Sequence, residues 1–387
     1  MDVSLEQLGR LAAESEEGRH EVIAALQKLA LSLESPQDTI HRYGHMNLQA
    51  AMVQVGINLK IFKHLTESDV PVTVDQISAK TGAEPQLMTR VVRFLSAIGA
   101  VDESGKNQFA ANHVTRNLTE SVVEAGLSHY FSTAARQYQS LPDYLQETGY
   151  KNPSDDTKTA FGLAFGISQS PYAWFANNPA ELAYFNAYMA LRRESGRTWL
   201  SVYPVVSEAV DWPSDKGLYV NIGGGIGHQC AQFKEKYPTL QGRVVLQDFP
   251  HSVAQALPTP GVENMAHNMF EPQPILGAKF YYLRAVLHNQ PENKLRLLLE
   301  TIKVAMGLES VLLIDEMVLP EVGASYVAAS LDMTMLSAFA GMERTEKQWR
   351  ETFEQVGLEL VHTYTYYSQS YESVMDVRLP RTQPSRG

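Results

Sequence analysis

The sequence predicts an α/β protein in which a helical, winged-helix-like N-terminal part precedes a mostly parallel sheet. Before Pro213, apolar residues recur mainly at helical spacing, whereas after it short β-branched or aromatic runs alternate with helical stretches. That alternation is typical of a parallel sheet covered by helices. Two closely spaced segments near the end, LELVHTYTYY and YESVMDVRL, predict an antiparallel pair that completes the sheet. The predicted parallel strands are 218–222, 243–247, 279–284 and 310–316.

The composition limits the classes of function. The 387 residues carry a formal net charge of −11 and are 44% hydrophobic, which provides a core and an acidic surface. An acidic surface repels nucleic-acid phosphates, so no nucleic-acid partner is predicted. No apolar run approaches the ~20 residues of a membrane span, so we expect a soluble, cytoplasmic protein with no membrane partner. The single cysteine, Cys230, excludes an intrachain disulfide and a cysteine metal cluster, and no metal site is predicted.

Two N-terminal stretches, 5–33 and 48–65, carry apolar residues at helical spacing. One interpretation is a pair of ordinary amphipathic helices. The other is an arm exchanged between subunits, because a long apolar stripe needs a partner surface. The sequence leaves both open.

The next segment has the outline of a winged helix. A short helix over 74–80 is closed by Gly82, and a longer one runs from Pro85 to Gly99. A hairpin is expected to follow, turning at Ser104–Gly105. Such modules often bind DNA, but here the second helix offers only two arginines among several acids. A structural or dimerising role is therefore favoured.

A helical segment rich in aromatic residues separates this module from the sheet. Its rings are expected to form core, and some of them to line a pocket for a flat organic molecule. The predicted division of the chain is 1–120 for a helical and winged-helix-like domain, 121–204 for the pocket-lining segment and 205–387 for the α/β domain.

The stretch YVNIGGGIGHQ joins the first strand of the sheet to a helix. Gly223, Gly225 and Gly227 form a G-x-G-x-G pattern, and glycines let the backbone adopt positive φ and let a ligand approach closely. The pattern matches neither the dinucleotide fingerprint nor a phosphate-binding P-loop. By itself it is also compatible with a tight turn that holds no ligand.

Three residues after the following strands favour a nucleoside without a diphosphate. Asp248 ends the second strand, 21 residues after Gly227, where an acid can accept hydrogen bonds from ribose hydroxyls. Asn268 and Met269 stand near a later strand end, where an amide can hydrogen-bond an adenine edge and a methionine can pack on its face. Taken singly, each is more often a loop amide or a core methionine.

Six ordered motifs carry a family resemblance, namely VNIGGGIGHQ, LQDFP, NMFEPQP, YYLRAVLHNQPENK, LLIDEMVLP and GMERTEKQW. They resemble the S-adenosylmethionine-dependent O-methyltransferases of the caffeic-acid type, especially the branch in fungal secondary metabolism. The resemblance covers nearly the whole chain. It implies a class I methyltransferase fold with a Rossmann-like sheet, S-adenosylmethionine as cofactor, a small-molecule substrate, and a homodimer held by the winged-helix-like domain.

The resemblance also implies a catalytic set. In the family, a histidine after the fourth strand takes the proton of the acceptor hydroxyl, and two acids hold that histidine. The matching residues here are His288, Glu316 and Glu343. The residue types suit the chemistry, because imidazole titrates near neutral pH and a carboxylate on its other nitrogen fixes the tautomer.

Three departures keep a second function open. Asn221, Asn268 and Asn289 stand where the family usually has aspartate, and each change removes a negative charge near the cofactor cleft. Some fungal relatives on this scaffold keep S-adenosylmethionine only as a bound positive charge and act as pericyclases or dehydratase–cyclases.

In such relatives a histidine from the mid-chain helices handles the substrate, and GLSHYF supplies His129 as the candidate. Arg192, Arg193 and Arg197 follow on a later helix. The presence of His288 at the base position favours methyl transfer over this alternative.

Overall fold

The computed structural model describes residues 2–191 and 197–381. They form two compact units, one of residues 2–133 with 180–191 and the other of residues 134–179 with 197–381. The predicted division of the chain at residues 120 and 204 concerns which segment lines a substrate pocket. The two compact units do not test that division, so it stays a prediction.

The first unit is mainly helical. Its three-stranded sheet has the order β1-β3-β2, with β3 antiparallel to both neighbours. Its elements up to residue 129 are α1 (Asp2–Glu14), α2 (Glu16–Ser32), α3 (Pro36–Gly44), α4 (Met46–Asn58), α5 (Ile61–Thr66), β1 (Val72–Thr73), α6 (Val74–Thr81), α7 (Pro85–Ala97), β2 (Asp102–Gly105), β3 (Gln108–Ala110), α8 (His113–Asn117) and α9 (Ser121–His129).

Local capping explains where these helices break. The apolar stretch 5–33 is two helices rather than one, because the Ser15 side chain accepts the Gly18 N–H and starts α2 anew. The stretch 48–65 divides at Lys60, which adopts φ +55° between α4 and α5.

The winged-helix outline is confirmed, but the position of its hairpin turn was wrong. Gly105 stays in β2 opposite Gln108, and the chain turns at residues 106 and 107 instead. Asn107 adopts φ +56°, a left-handed conformation that asparagine tolerates better than most residues. The glycine was therefore a weaker turn signal than the asparagine that follows it.

The second unit contains the large sheet and most of the remaining helices. A π-helical turn (Tyr130–Ala134) comes before the helices of this unit in the chain. One helix, α14 (Pro179–Leu191), follows among them in chain order although it lies almost wholly in the first unit. The helices are α10 (Ala135–Gln139), α11 (Leu141–Glu147), α12 (Ala160–Phe165), α13 (Pro171–Ala176), α14 (Pro179–Leu191), α15 (Val205–Glu208), α16 (His228–Lys236), α17 (Pro250–Val253), α18 (Glu292–Ala305), α19 (Tyr326–Phe339) and α20 (Glu346–Gln355). The strands are β4 (Gly217–Ile222), β5 (Arg243–Asp248), β6 (Val262–Ala266), β7 (Phe280–Arg284), β8 (Val311–Leu319), β9 (Arg344–Thr345), β10 (Glu359–Tyr367) and β11 (Glu372–Arg378).

The large sheet has the order β10-β11-β8-β7-β4-β5-β6, with β9 paired to β8. Strands β4 to β8 are parallel, and β10 and β11 are antiparallel, as the sequence predicts. This is the Rossmann-like arrangement. β6 was not among the predicted strands, because it is an edge strand of sequence VENMA with mostly exposed residues.

Alternating side chains bury both faces of the sheet. Val220 and Tyr281 belong to one core cluster, whereas their chain neighbours Tyr219 and Tyr282 belong to the other. Tyr219 stacks on Phe233 of α16 with ring centroids 4.4 Å apart, which fixes that helix against β4. None of the described helices is both long and apolar enough to cross a bilayer.

Candidate active site

The turn between β4 and α16 is built from glycine backbone. Gly223, Gly225 and Gly227 adopt φ values of +68°, +62° and +93°, which side-chain-bearing residues rarely occupy. Gly224 passes so close to Asn221 that a Cβ atom would lie 2.5 Å from the Asn221 Nδ2 atom. The loop therefore brings backbone without side chains to the carboxyl edge of the sheet, where a ligand can approach closely.

Asp248 ends β5 and contacts this loop directly. Its Oδ2 atom accepts the Gly225 N–H at 2.8 Å, and its Oδ1 atom accepts the Phe249 N–H at 2.7 Å. Each oxygen has a second lone pair available to a hydroxyl donor. A half-buried carboxylate on a glycine turn fits a ribose, so these residues fit a nucleoside-containing cofactor.

The turn after β6 lies beside Asp248, since the His267 N–H donates to the Asp248 carbonyl at 2.9 Å. The next residue, Asn268, accepts the Phe270 N–H at 3.2 Å through its side chain. Met269 is half-buried and packs against one core cluster of the sheet. Asn268 and Met269 thus lie at the same sheet edge as the glycine turn.

Asn221 faces the core rather than the edge. It is buried, and its Nδ2 atom lies 3.8 Å from the Cys230 sulfur on α16. Burial raises the pKa of the Cys230 thiol to about 12, so the group is a neutral thiol. An aspartate here would bury a negative charge beside a neutral thiol, which is only a weak donor, so the uncharged amide suits the position better.

His288 lies in a 3₁₀ turn (Leu287–Asn289) directly after β7, and the side chain is buried. Its Nδ1 atom lies 2.6 Å from Oε1 of Glu343, which is also buried. A carboxylate can only accept in this contact, so Nδ1 carries the proton and the neutral ring has its basic lone pair on Nε2.

Glu316 of β8 holds the backbone of the same turn. Its Oε1 atom accepts the N–H groups of Val286, Leu287 and His288 at 3.0, 2.8 and 3.4 Å. Its Oε2 atom lies 3.8 Å from His288 Nδ1. The two acids thus contact different parts of His288, since Glu343 contacts the ring and Glu316 the main chain. Burial raises the pKa of Glu316 to about 7, although the nearby His288 opposes that shift.

The nearest donor atoms of His288, Glu316 and Glu343 lie within 4.8 Å of one another, a spacing that a metal ion could also use. The short contact between His288 Nδ1 and Glu343 occupies the ring nitrogen that such an ion would need. The arrangement is a hydrogen-bonded triad in this structure.

Two contacts near His288 were not predicted from the sequence. Gly341 approaches the His288 carbonyl so closely that a Cβ atom would lie 2.0 Å from its oxygen, and the Met342 N–H donates to that oxygen at 3.1 Å. Asn289 donates to the Ala285 carbonyl and to the Tyr172 hydroxyl, both at 3.1 Å. The glycine in GMERTE was the signal available for the first contact.

His129 lies in the first unit, at the end of α9. Its ring packs against the rings of Tyr130, Phe185 and Tyr188. Burial lowers the pKa of His129 to about 4, so the imidazole is neutral at pH 7. Of the three predicted arginines, Arg192 and Arg193 lie outside the described residues, and the Arg197 guanidinium lies 5.8 Å from the centre of the Tyr367 ring.

Comparison with known protein families matches residues 138–359 to the O-methyltransferase domain and residues 42–121 to the O-methyltransferase dimerisation domain. A demethylsterigmatocystin 6-O-methyltransferase from Aspergillus parasiticus is 38% identical, over 94% of this chain and 94% of its own length.

Two solved structures, one described as a pericyclic reaction enzyme and one as LepI in complex with S-adenosylmethionine, each superpose with a TM-score of 0.87 at 34% identity. Both alignments cover 98% of this chain, with 99% and 98% of the respective structures.

Proposed function

Because the chain belongs to the S-adenosylmethionine-dependent O-methyltransferase family, we propose that it methylates a hydroxyl of a small aromatic or polyketide-like secondary metabolite. The cofactor of this family fold is S-adenosylmethionine. The observation that carries the proposal is the buried contact of 2.6 Å between His288 Nδ1 and Glu343.

The cofactor would be held at the carboxyl edge of the sheet. The turn of Gly223, Gly225 and Gly227 lets the cofactor approach the backbone closely, and Asp248 offers carboxylate oxygens to the ribose hydroxyls. Asn268 would offer an amide to the adenine edge and Met269 an apolar side chain to its face. When bound, S-adenosylmethionine supplies an electrophilic methyl group on a positively charged sulfur.

His288 acts as the general base. Its Nε2 atom accepts the proton that the acceptor hydroxyl loses, because the ring proton is already held on Nδ1 by Glu343. The Glu343 carboxylate then stabilises the imidazolium that forms. Glu316 keeps the turn in place through three backbone N–H groups, so the base is held before the acceptor arrives.

A labelled-cofactor assay tests this proposal. The protein is incubated with methyl-labelled S-adenosylmethionine and a panel of hydroxylated aromatic polyketides, and the label in the product is counted. We expect His288→Ala to lower turnover by roughly 10²–10⁴-fold with cofactor affinity retained. His362→Ala is the matched control, because His362 is exposed on β10. Equal turnover in wild type and His288→Ala would refute the role of His288.

A second candidate is a pericyclase or dehydratase–cyclase that uses only the charge of the cofactor. It is favoured by the similarity to the pericyclic reaction enzyme and by the neutral, aromatic surroundings of His129. The same assay separates the two candidates. Substrate that isomerises while the label stays on the cofactor, with His129→Ala more damaging than His288→Ala, would establish the second function.

We further propose a cytoplasmic homodimer with no nucleic-acid or membrane partner. The support is the dimerisation-domain match and the apolar side chains exposed along α1 to α3, such as Leu29, Leu33 and Ile40 at 56%, 75% and 68% exposure. Light scattering on the intact chain and on a chain lacking the first 40 residues tests it. A monomeric intact chain at micromolar concentration would contradict it.

A further inference from the structure

We propose that Asp332 is a positioning residue for His288 and that it acts through the backbone of Glu343. Its effect on turnover rests on the proposed methyl transfer, whereas its effect on the His288 ring does not.

Asp332 lies on α19 and fixes the residue that contacts the imidazole. Its Oδ1 atom accepts the Glu343 N–H at 2.8 Å. The two residues are eleven positions apart in the chain, so this bond ties the segment after α19 back onto the helix. The Glu343 side chain starts from the main-chain atoms that this bond holds.

Glu343 has few other constraints on its carboxylate. Its Oε1 atom contacts His288 Nδ1, whereas its Oε2 atom is buried and has no hydrogen-bond partner among the described residues. A carboxylate held by one contact takes its position from its own backbone. The bond from Asp332 is therefore the one that holds the Glu343 main-chain N–H itself and so helps to place Oε1 opposite the imidazole.

The segment 340–343 contacts His288 at two points. Ala340 ends α19 with φ +54°, and Gly341 then passes the His288 carbonyl at a distance that excludes any side chain. The Met342 N–H donates to that carbonyl, and Glu343 contacts the ring. Because the Met342 bond survives removal of Asp332, we expect the segment to loosen rather than to detach.

The site needs an acceptor from Asp332 rather than a charge. Asp332 is half-buried, and the Glu343 carboxylate nearby repels a second negative charge. An asparagine offers the same Oδ1 acceptor without the charge, whereas a glutamate keeps the charge and displaces the oxygen by one methylene. The variants Asp332→Asn and Asp332→Glu therefore separate geometry from charge.

The test combines kinetics with proton NMR of the full-length protein. The hydrogen-bonded Nδ1 proton gives a downfield imidazole resonance, which His288→Gln assigns by abolishing it. We expect Asp332→Ala and Asp332→Glu to lower kcat about tenfold and to shift that resonance, with KM for the cofactor unchanged within about twofold. We expect Asp332→Asn to restore at least half of the wild-type kcat and the wild-type resonance. Ser330→Ala, two residues earlier on the same helix, is the matched control and should behave as wild type.

Two results would overturn the proposal. One is a wild-type resonance and kcat in Asp332→Glu, and the other is an Asp332→Asn variant as impaired as Asp332→Glu. If Asp332→Ala does not fold, the asparagine and glutamate variants still decide the matter. If the wild type transfers no methyl group, the proposed function fails by that result, while the resonance still reports whether Asp332 positions the ring.

Discussion

Glu343 and His288 are 55 residues apart in the chain, yet the Glu343 Oε1 atom lies 2.6 Å from the His288 Nδ1 atom. Both side chains are buried, so water competes little for this contact. The contact fixes one tautomer of the ring, with the proton on Nδ1. The lone pair that can accept a proton is therefore on Nε2.

The first prediction concerns Glu343. Glu343→Gln should lower kcat by roughly 10²–10⁴-fold, because an amide stabilises the imidazolium poorly and can hold the wrong tautomer. KM for S-adenosylmethionine should change little, since Glu343 contacts the base and not the glycine turn. Steady-state kinetics with saturating cofactor measure both constants. Glu321→Gln, at an exposed acid, is the control, and a Glu343→Gln variant as active as this control would contradict the prediction.

The second prediction concerns stability and pH at Glu316. Its folded-state pKa of about 7 lies above its ordinary value of 4.5, so between these values the folded state binds more protons than the unfolded chain. Stability should therefore fall as pH rises through this window, by roughly 3 kcal/mol from this group. Glu316→Gln keeps an acceptor for the three N–H groups and removes the titration.

Urea unfolding of wild type and Glu316→Gln at several pH values between 4.5 and 8 measures this effect. The variant should gain stability relative to wild type as pH rises, and the two should converge near pH 4.5. Curves that stay parallel over the range would show that Glu316 does not titrate in this window.

The third prediction concerns Asp248 and the cofactor. Asp248→Ala removes the acceptor that bonds Gly225 and would bond the ribose, so affinity for S-adenosylmethionine should fall about five- to 150-fold. Isothermal calorimetry with the cofactor or its demethylated product measures this directly. Asp215→Ala changes an exposed acid just before β4 and serves as the control. Equal affinity in wild type and Asp248→Ala would remove Asp248 from the cofactor site.

The sequence predicted the elements whose signals are local. Parallel strands such as β4 and β8 were predicted because buried runs of β-branched and aromatic residues dominate them. The edge strand β6 lacks that signal, since three of its five residues are exposed and none is fully buried. The hairpin turn was misplaced by two residues because glycine and asparagine compete for the same conformation.

The site was predicted as a set of residues, but its internal contacts were not. Motif order brought His288, Glu316 and Glu343 together, yet nothing local indicates that Glu316 bonds the main chain and Glu343 the ring. Asp332 and Gly341 act through contacts made only after the segment that follows α19 folds back. Tertiary contacts of this kind carry no periodicity or spacing that a single sequence displays.

The fourth prediction concerns Asn289, where the family usually has aspartate. The Asn289 amide donates two hydrogen bonds, to the Ala285 carbonyl and to the Tyr172 hydroxyl. The Tyr172 ring in turn packs on Phe339 with centroids 5.2 Å apart, which ties α13 and the end of α19 to the turn that carries the base. An aspartate has no proton to donate at neutral pH, so it can only accept from Tyr172 and repels the Ala285 carbonyl.

Asn289→Asp should therefore lower kcat a few-fold, because one lost hydrogen bond costs about 1 kcal/mol and a barrier higher by that amount slows the reaction to this extent. Tyr172→Phe keeps the ring on Phe339 and removes the hydroxyl, so it should produce a similar loss. In a double-mutant cycle, Asn289→Ala combined with Tyr172→Phe should lose less than the sum of the losses in Asn289→Ala alone and Tyr172→Phe alone, because both changes remove one shared bond. Full additivity of the two changes in kcat, measured with saturating cofactor, would show that the Asn289–Tyr172 bond does not support the turn.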